Sequence, residues 1–217
     1  MSVSVITVGS QSVNLVSFPT APGLKGYDFT MDDKVGVVTS VFTGQIQAQQ
    51  WPGADMWSAT LSIAPRGALD ADDWVSFLME LRGMANGFQL GDVSKATPRG
   101  SVAGTPLVDN TGLGGNIAMS QMLATKGWTA SAAGVLKRGD QIQVGYRLYA
   151  CLNNVDADGS GNAVISVWPS LRELPTDSSA IITSGSQGLW RLSKNQRGYS
   201  RDITRLTRIS IPIQEYR

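Results

Sequence analysis

The sequence predicts a mostly β protein of two β units, the second small and β-barrel-like, with one α-helix. Three observations predict it. Short runs of alternating apolar and polar residues recur along the chain. Glycine and small polar residues punctuate those runs at turn spacing. One stretch carries the apolar period of a helix.

In chain order, Val3 to Val8 alternates as a strand, Gly9 to Ser12 makes a turn, and Val13 to Phe18 is its partner. Pro19 to Gly26 reads as a loop. Val35 to Phe42, rich in β-branched residues, reads as one strand that continues through Ile46. Met56 to Ile63 alternates, with Trp57, Ala59, Leu61 and Ile63 on one face and Ser58, Thr60 and Ser62 on the other. The link Gln49 to Asp55 supplies a turn, so these two strands are expected to form a hairpin. A helix is expected over Ala71 to Arg82. Asp70 serves as its N-cap, Asp72 and Asp73 sit at the positive end of its dipole, and Gly83 ends it. Its stripe of Trp74, Phe77, Leu78 and Leu81 should cover a sheet.

Gly87 to Asp92 reads as a short strand entering a turn. Ala103 to Ala133 is poor in charge and rich in Gly, Thr, Ala and Ser. Ile142 to Leu152 and Ala163 to Trp168 are strands joined by the ten-residue loop Asn153 to Asn162. Ala180 to Thr183 is a short strand, and Leu206 to Ile213 is the last. In all, ten to thirteen strands are expected. The last strands are expected to return to the first domain, so residues 1–97 with 184–217 form the first domain and 98–183 are an inserted second β domain.

Composition narrows the function. Charged residues are 16% of the chain, against about 25% for an average soluble domain. A poorly charged surface is weakly protected against association, which suits a protein that works inside an assembly. The net charge of +1 lacks the global basic footprint of a nucleic-acid binder. Met1 to Val16 has no early Lys or Arg and no sustained apolar run, so a secretory signal is not expected. No stretch reaches the length needed to cross a bilayer as a helix. Folding in a cytoplasm is the expectation.

The chain has no histidine and one cysteine, Cys151. The commonest general base is therefore missing, as are Ser-His-Asp and Cys-His arrangements and cysteine zinc sites. No enzyme, catalytic residue or cofactor is expected. Asp70, Asp72 and Asp73 belong to a helix start, and Asp32 and Asp33 to a turn. One weak metal candidate remains. Asp156, Asp158, Ser160 and Asn162 fall at calcium-loop positions 1, 3, 5 and 7, with Gly161 at position 6. Position 12 is Val167 where a closing Glu belongs, and an ordinary hairpin turn uses the same residue types. The series Arg191, Lys194, Arg197, Arg201, Arg205 and Arg208 is offset by one acid, Asp202. A solvated face or intersubunit ion pairs explain it better than an anion-facing strip. Six tryptophans, Trp51, Trp57, Trp74, Trp128, Trp168 and Trp190, suit either core or interface.

Several segments carry a resemblance. They are Val41-Phe42-Thr43-Gly44 followed by Trp51 and Trp57; Leu81-Arg82-Gly83; Gly87 to Asp92; Gly104 to Val108; Gly127-Trp128; Leu136 with Gly139-Asp140; and Trp168 to Arg172. In order and spacing they resemble the distal tail or minor tail proteins of long-tailed bacteriophages, over roughly residues 40–175. The resemblance implies that the first unit is a β-sandwich, belt-like domain that closes a ring, commonly six-fold, at the end of the tail tube, and that the second β domain faces outward. It implies as partners other copies of the chain, the tail tube protein and the hub or tip proteins, with DNA only as passing cargo. It implies a place in the virion at the tail tip, joining the tail tube to the tip or baseplate hub and fibres, and no catalytic residues. The alternative is a virion-borne receptor- or carbohydrate-binding module.

Overall fold

The computed structural model describes residues 3–21 and 23–217. Met1, Ser2 and Pro22, which fall in the expected N-terminal segment and the first loop, lie outside the described residues. The protein is mostly β, 44% strand and 7% helical, with one α-helix and a nearly closed barrel-like sheet. The chain divides into two compact units, each discontinuous in sequence: Met1–Met31 with Trp57–Leu90 and Gly188–Arg217, and Asp32–Met56 with Gly91–Gln187.

The first unit begins with a hairpin of β1 (Val3–Val8) and β2 (Gln11–Val16). β3 (Leu24–Asp32) follows, and its first three residues fall in the segment expected to be loop. After the second unit's first excursion come β6 (Met56–Arg66), α1 (Ala68–Glu80) and β7 (Phe88–Leu90). The chain returns for β14 (Gly188–Leu192), β15 (Ser200–Arg201) and β16 (Thr207–Glu215). The sheet order is β3-β6-β16-β14-β7, with β15 paired to β16. β6 does not form the hairpin with the preceding strand that the turn link Gln49 to Asp55 suggested. Its antiparallel partner is β16, with Leu61 opposite Ile211 and Ser62 opposite Ser210.

Period-two burial explains why these residues make this sheet. Trp57, Ala59, Leu61 and Ile63 are buried, as are Ile209, Ile211 and Ile213 across from them. Helix α1 adds its stripe of Trp74, Phe77, Leu78 and Leu81, all buried. Phe18 ties the parts together, with its ring 5.1 Å from Trp74, 5.5 Å from Phe77 and 5.4 Å from Phe88. The helix starts three residues before the expected point. Gly67 is its N-cap and makes no side-chain cap bond, and Asp70 lies inside the first turn. There its charge still favours the dipole. Arg82 and Gly83 both have left-handed backbone, φ 48° and 69°, which stops the helix.

The second unit holds β8 (Gly104–Val108), β9 (Met122–Trp128), β10 (Gln141–Val144), β11 (Arg147–Cys151), β12 (Ala163–Trp168) and β13 (Ile181–Ile182). The order is β13-β10-β11-β12-β9-β8. An antiparallel bridge from Leu107 to Ala180 brings the two ends together, which leaves this sheet little free edge. Its interior is apolar, with Leu123, Leu136, Ile142, Ile165, Val167 and Leu171 fully buried. The expected single strand over Ile142 to Leu152 is two strands, β10 and β11, because Gly145 turns the chain with φ 59°. The same unit contains a separate two-stranded sheet, β4 (Val35–Thr39) with β5 (Ile46–Gln50).

Candidate functional site: an uncharged exposed hairpin

The segment expected as one strand to Ile46 is instead this β4–β5 hairpin. Val35 faces Gln50, Val37 faces Ala48 and Thr39 faces Ile46. Ser40 builds the turn. Its backbone N–H donates to the Gln45 carbonyl at 2.8 Å, and its hydroxyl accepts from the N–H groups of Phe42 and Thr43 at 3.4 and 3.3 Å. Gly44 closes the turn with φ 67°, where a side chain is disfavoured. An apolar run interrupted by Ser and Gly fits either a long strand or two short ones. Side-chain bonding to the backbone decided for two.

The hairpin has the wrong surface for solvent. From Val35 to Ala54 there is no charged residue. All ten strand residues are exposed. On one face Val35, Val37 and Ile46 stand beside Ala48. At the tip, Val41 is 94% and Phe42 96% exposed. A lone two-stranded hairpin is marginal in water and presents two free edges.

Its root, by contrast, is fixed. Asp33 precedes the hairpin and accepts the Trp168 indole N–H at 2.9 Å. Asp55 follows it, is buried, and accepts from the Ser170 N–H at 2.6 Å and the Ser170 hydroxyl at 2.9 Å. The Arg172 guanidinium donates to the Asp55 carbonyl at 2.6 Å. Both stems are thus clamped by Trp168 to Arg172, a segment singled out in the sequence. That Asp33 and Asp55 would meet it was not legible there, because the partners lie 135 and 115 residues apart.

The remaining candidates take structural places. The Asp156 carboxylate accepts from the Gly134 N–H at 2.6 Å. Asp158 accepts from the N–H groups of Ser160 and Asn162, both at 2.8 Å, and those bonds hold its carboxyl below the usual range. Ser160 and Asn162 therefore serve a turn around Asp158. Among the described residues no group of three or more His, Cys, Asp or Glu is placed to hold a metal. Cys151 is buried, and burial pushes its thiol up to about 12. Asp70, Asp72 and Asp73 are exposed on α1. In the basic series, Arg201 pairs with Asp72 at 3.6 Å and Arg208 with Asp202 at 3.8 Å, both at the surface. Five of the six tryptophans are buried; Trp51, at the end of β5, is 60% exposed.

No protein-family model matches this chain, and no curated protein matches it. No helix among the described residues is long and apolar enough to cross a membrane.

Proposed function

We propose that this chain is a structural, non-enzymatic subunit of a long-tailed phage tail tip. Copies close head to tail into a ring, six-fold by the resemblance, that joins the tail tube to the tip hub, baseplate and fibres. The subunit is assembled in the host cytoplasm and resides in the virion. The observation that carries the reading is the clamped, uncharged, solvent-facing β4–β5 hairpin. Its occupant is a second copy. The 17 residues Val35–Trp51 make up most of one side of a standard interface, which takes about 20–30 residues. A charge-free arm gains nothing from a charged partner and loses least against a poorly charged surface, which this chain itself supplies. An arm that docks on a different part of the next copy gives a heterologous contact, and such contacts close into rings.

A glycan platform built from several exposed indoles would have to rest here on Trp51 alone, so the receptor-binding alternative draws little from the tryptophans. The test is mass measurement and particle imaging of the purified chain, alone and with tail-tube protein. Closed rings support the reading. A monomer in both settings at high concentration, with glycan binding, replaces it with the binding-module reading.

A further inference from the structure

The first unit carries a groove of about 510 Å³ where β6, β16 and β15 meet. Its floor follows from register. Ser62 on β6 faces Ser210 on β16, and Ser200 on β15 faces Arg208 on β16. Lys25, on β3, and Tyr199, just before β15, also line it. Among the described residues no carboxylate lines it. The groove therefore offers two cations, Lys25 and Arg208, and four hydroxyls, those of Ser62, Tyr199, Ser200 and Ser210, to whatever enters.

Bases outnumber acids around it, although Asp202 pairs with Arg208 at 3.8 Å and Asp72 with Arg201 at 3.6 Å. Lys25, Lys194, Arg197 and Arg205 are exposed and have no acidic partner among the described residues. From Arg191 to Arg208 there are six bases and one acid. Tyr199 is 48% exposed, and the Arg201 guanidinium lies 5.5 Å above its ring. A small carboxylate ligand would use two cations and leave the rest idle. A repeating anion uses several at once. Cations along a groove with hydroxyl donors on its floor and an aromatic ring beside it form the combination that takes a single nucleic-acid strand.

We propose that this groove binds single-stranded nucleic acid by its phosphodiester backbone, with Lys25 and Arg208 each meeting a phosphate and Tyr199 offering a face to a base. The site is independent of the hairpin and does not rest on the ring.

The experiment is fluorescence anisotropy of the full chain with a labelled mixed-sequence single strand and the matching duplex, from 50 to 200 mM NaCl. The expected result is salt-dependent binding of the single strand, tighter than of the duplex. In Lys25→Gln/Arg208→Gln the slope of log K against log salt should fall by about 1.4, about 0.7 per lost phosphate contact. Tyr199→Ala should weaken binding by about fivefold or more. Thermal melts check that the variants fold, and Lys25→Gln alone, at an exposed position, serves if the double variant does not. No binding at 50 mM salt overturns the proposal, as does an unchanged slope in a folded variant. Equal or tighter duplex binding, or no effect of Tyr199→Ala, also overturns it.

Discussion

Truncating the hairpin tip separates assembly from folding. In Val41→Ala/Phe42→Ala, both positions are almost fully exposed, 94% and 96%. The subunit itself buries neither side chain, so its own stability should stay within about 0.5 kcal/mol of the parent. In a ring whose neighbours cover the tip, each side chain contributes about 1.5–3 kcal/mol by leaving water. Two such losses total about 3–6 kcal/mol per contact, which corresponds to a hundred- to ten-thousand-fold weaker association. The assay pairs light scattering after size exclusion with chemical denaturation. The expected outcome is loss of the ring at concentrations where the parent assembles, with an unchanged denaturation midpoint for the subunit. A variant that still assembles at parental concentrations refutes the docking argument. One that loses several kcal/mol of subunit stability shows that the tip is packed within the chain.

Three further perturbations test the subunit itself. Leu78→Ala, on the buried stripe of α1, should cost about 2–4 kcal/mol in denaturant unfolding; a cost below about 0.5 would mean that the stripe is not core. Asp140 is buried, which raises its pKa, but the N–H groups of Lys137, Arg99 and Gly100 more than offset this and hold it low, so its contribution is complete above the unfolded value near 3.8 and is lost as pH falls through the lower folded value. Asp177, held at about 2 by the Asn110 N–H, the Ser178 hydroxyl and Lys126, acts with the same sign. Melting temperature should therefore drop between about pH 5 and 2, and less steeply in Asp140→Asn; an equal slope in the variant would assign the acid sensitivity elsewhere. Calorimetry with millimolar calcium should show no binding at Asp156 to Asn162, and a micromolar affinity lost in Asp158→Ala would contradict the turn assignment.

What the sequence by itself determined is the local and periodic part. The mostly β class, the alternation of β6 and β16, the helix with its buried stripe, and the Asp158 turn all follow from residues within a dozen positions of each other. Burial on one face imposes a period that a single strand or helix displays alone. β8, β9 and β14 escaped notice because strands with both faces largely covered, or rich in Gly and Thr, show weak alternation. What tertiary structure alone decided is pairing and exposure. β6 joined β16 across 150 residues, and the apolar hairpin was left facing solvent though its composition matches a core strand. Partner choice depends on the summed packing of distant segments and on bonds such as Asp33 to Trp168. Those exist only once the fold brings their ends together.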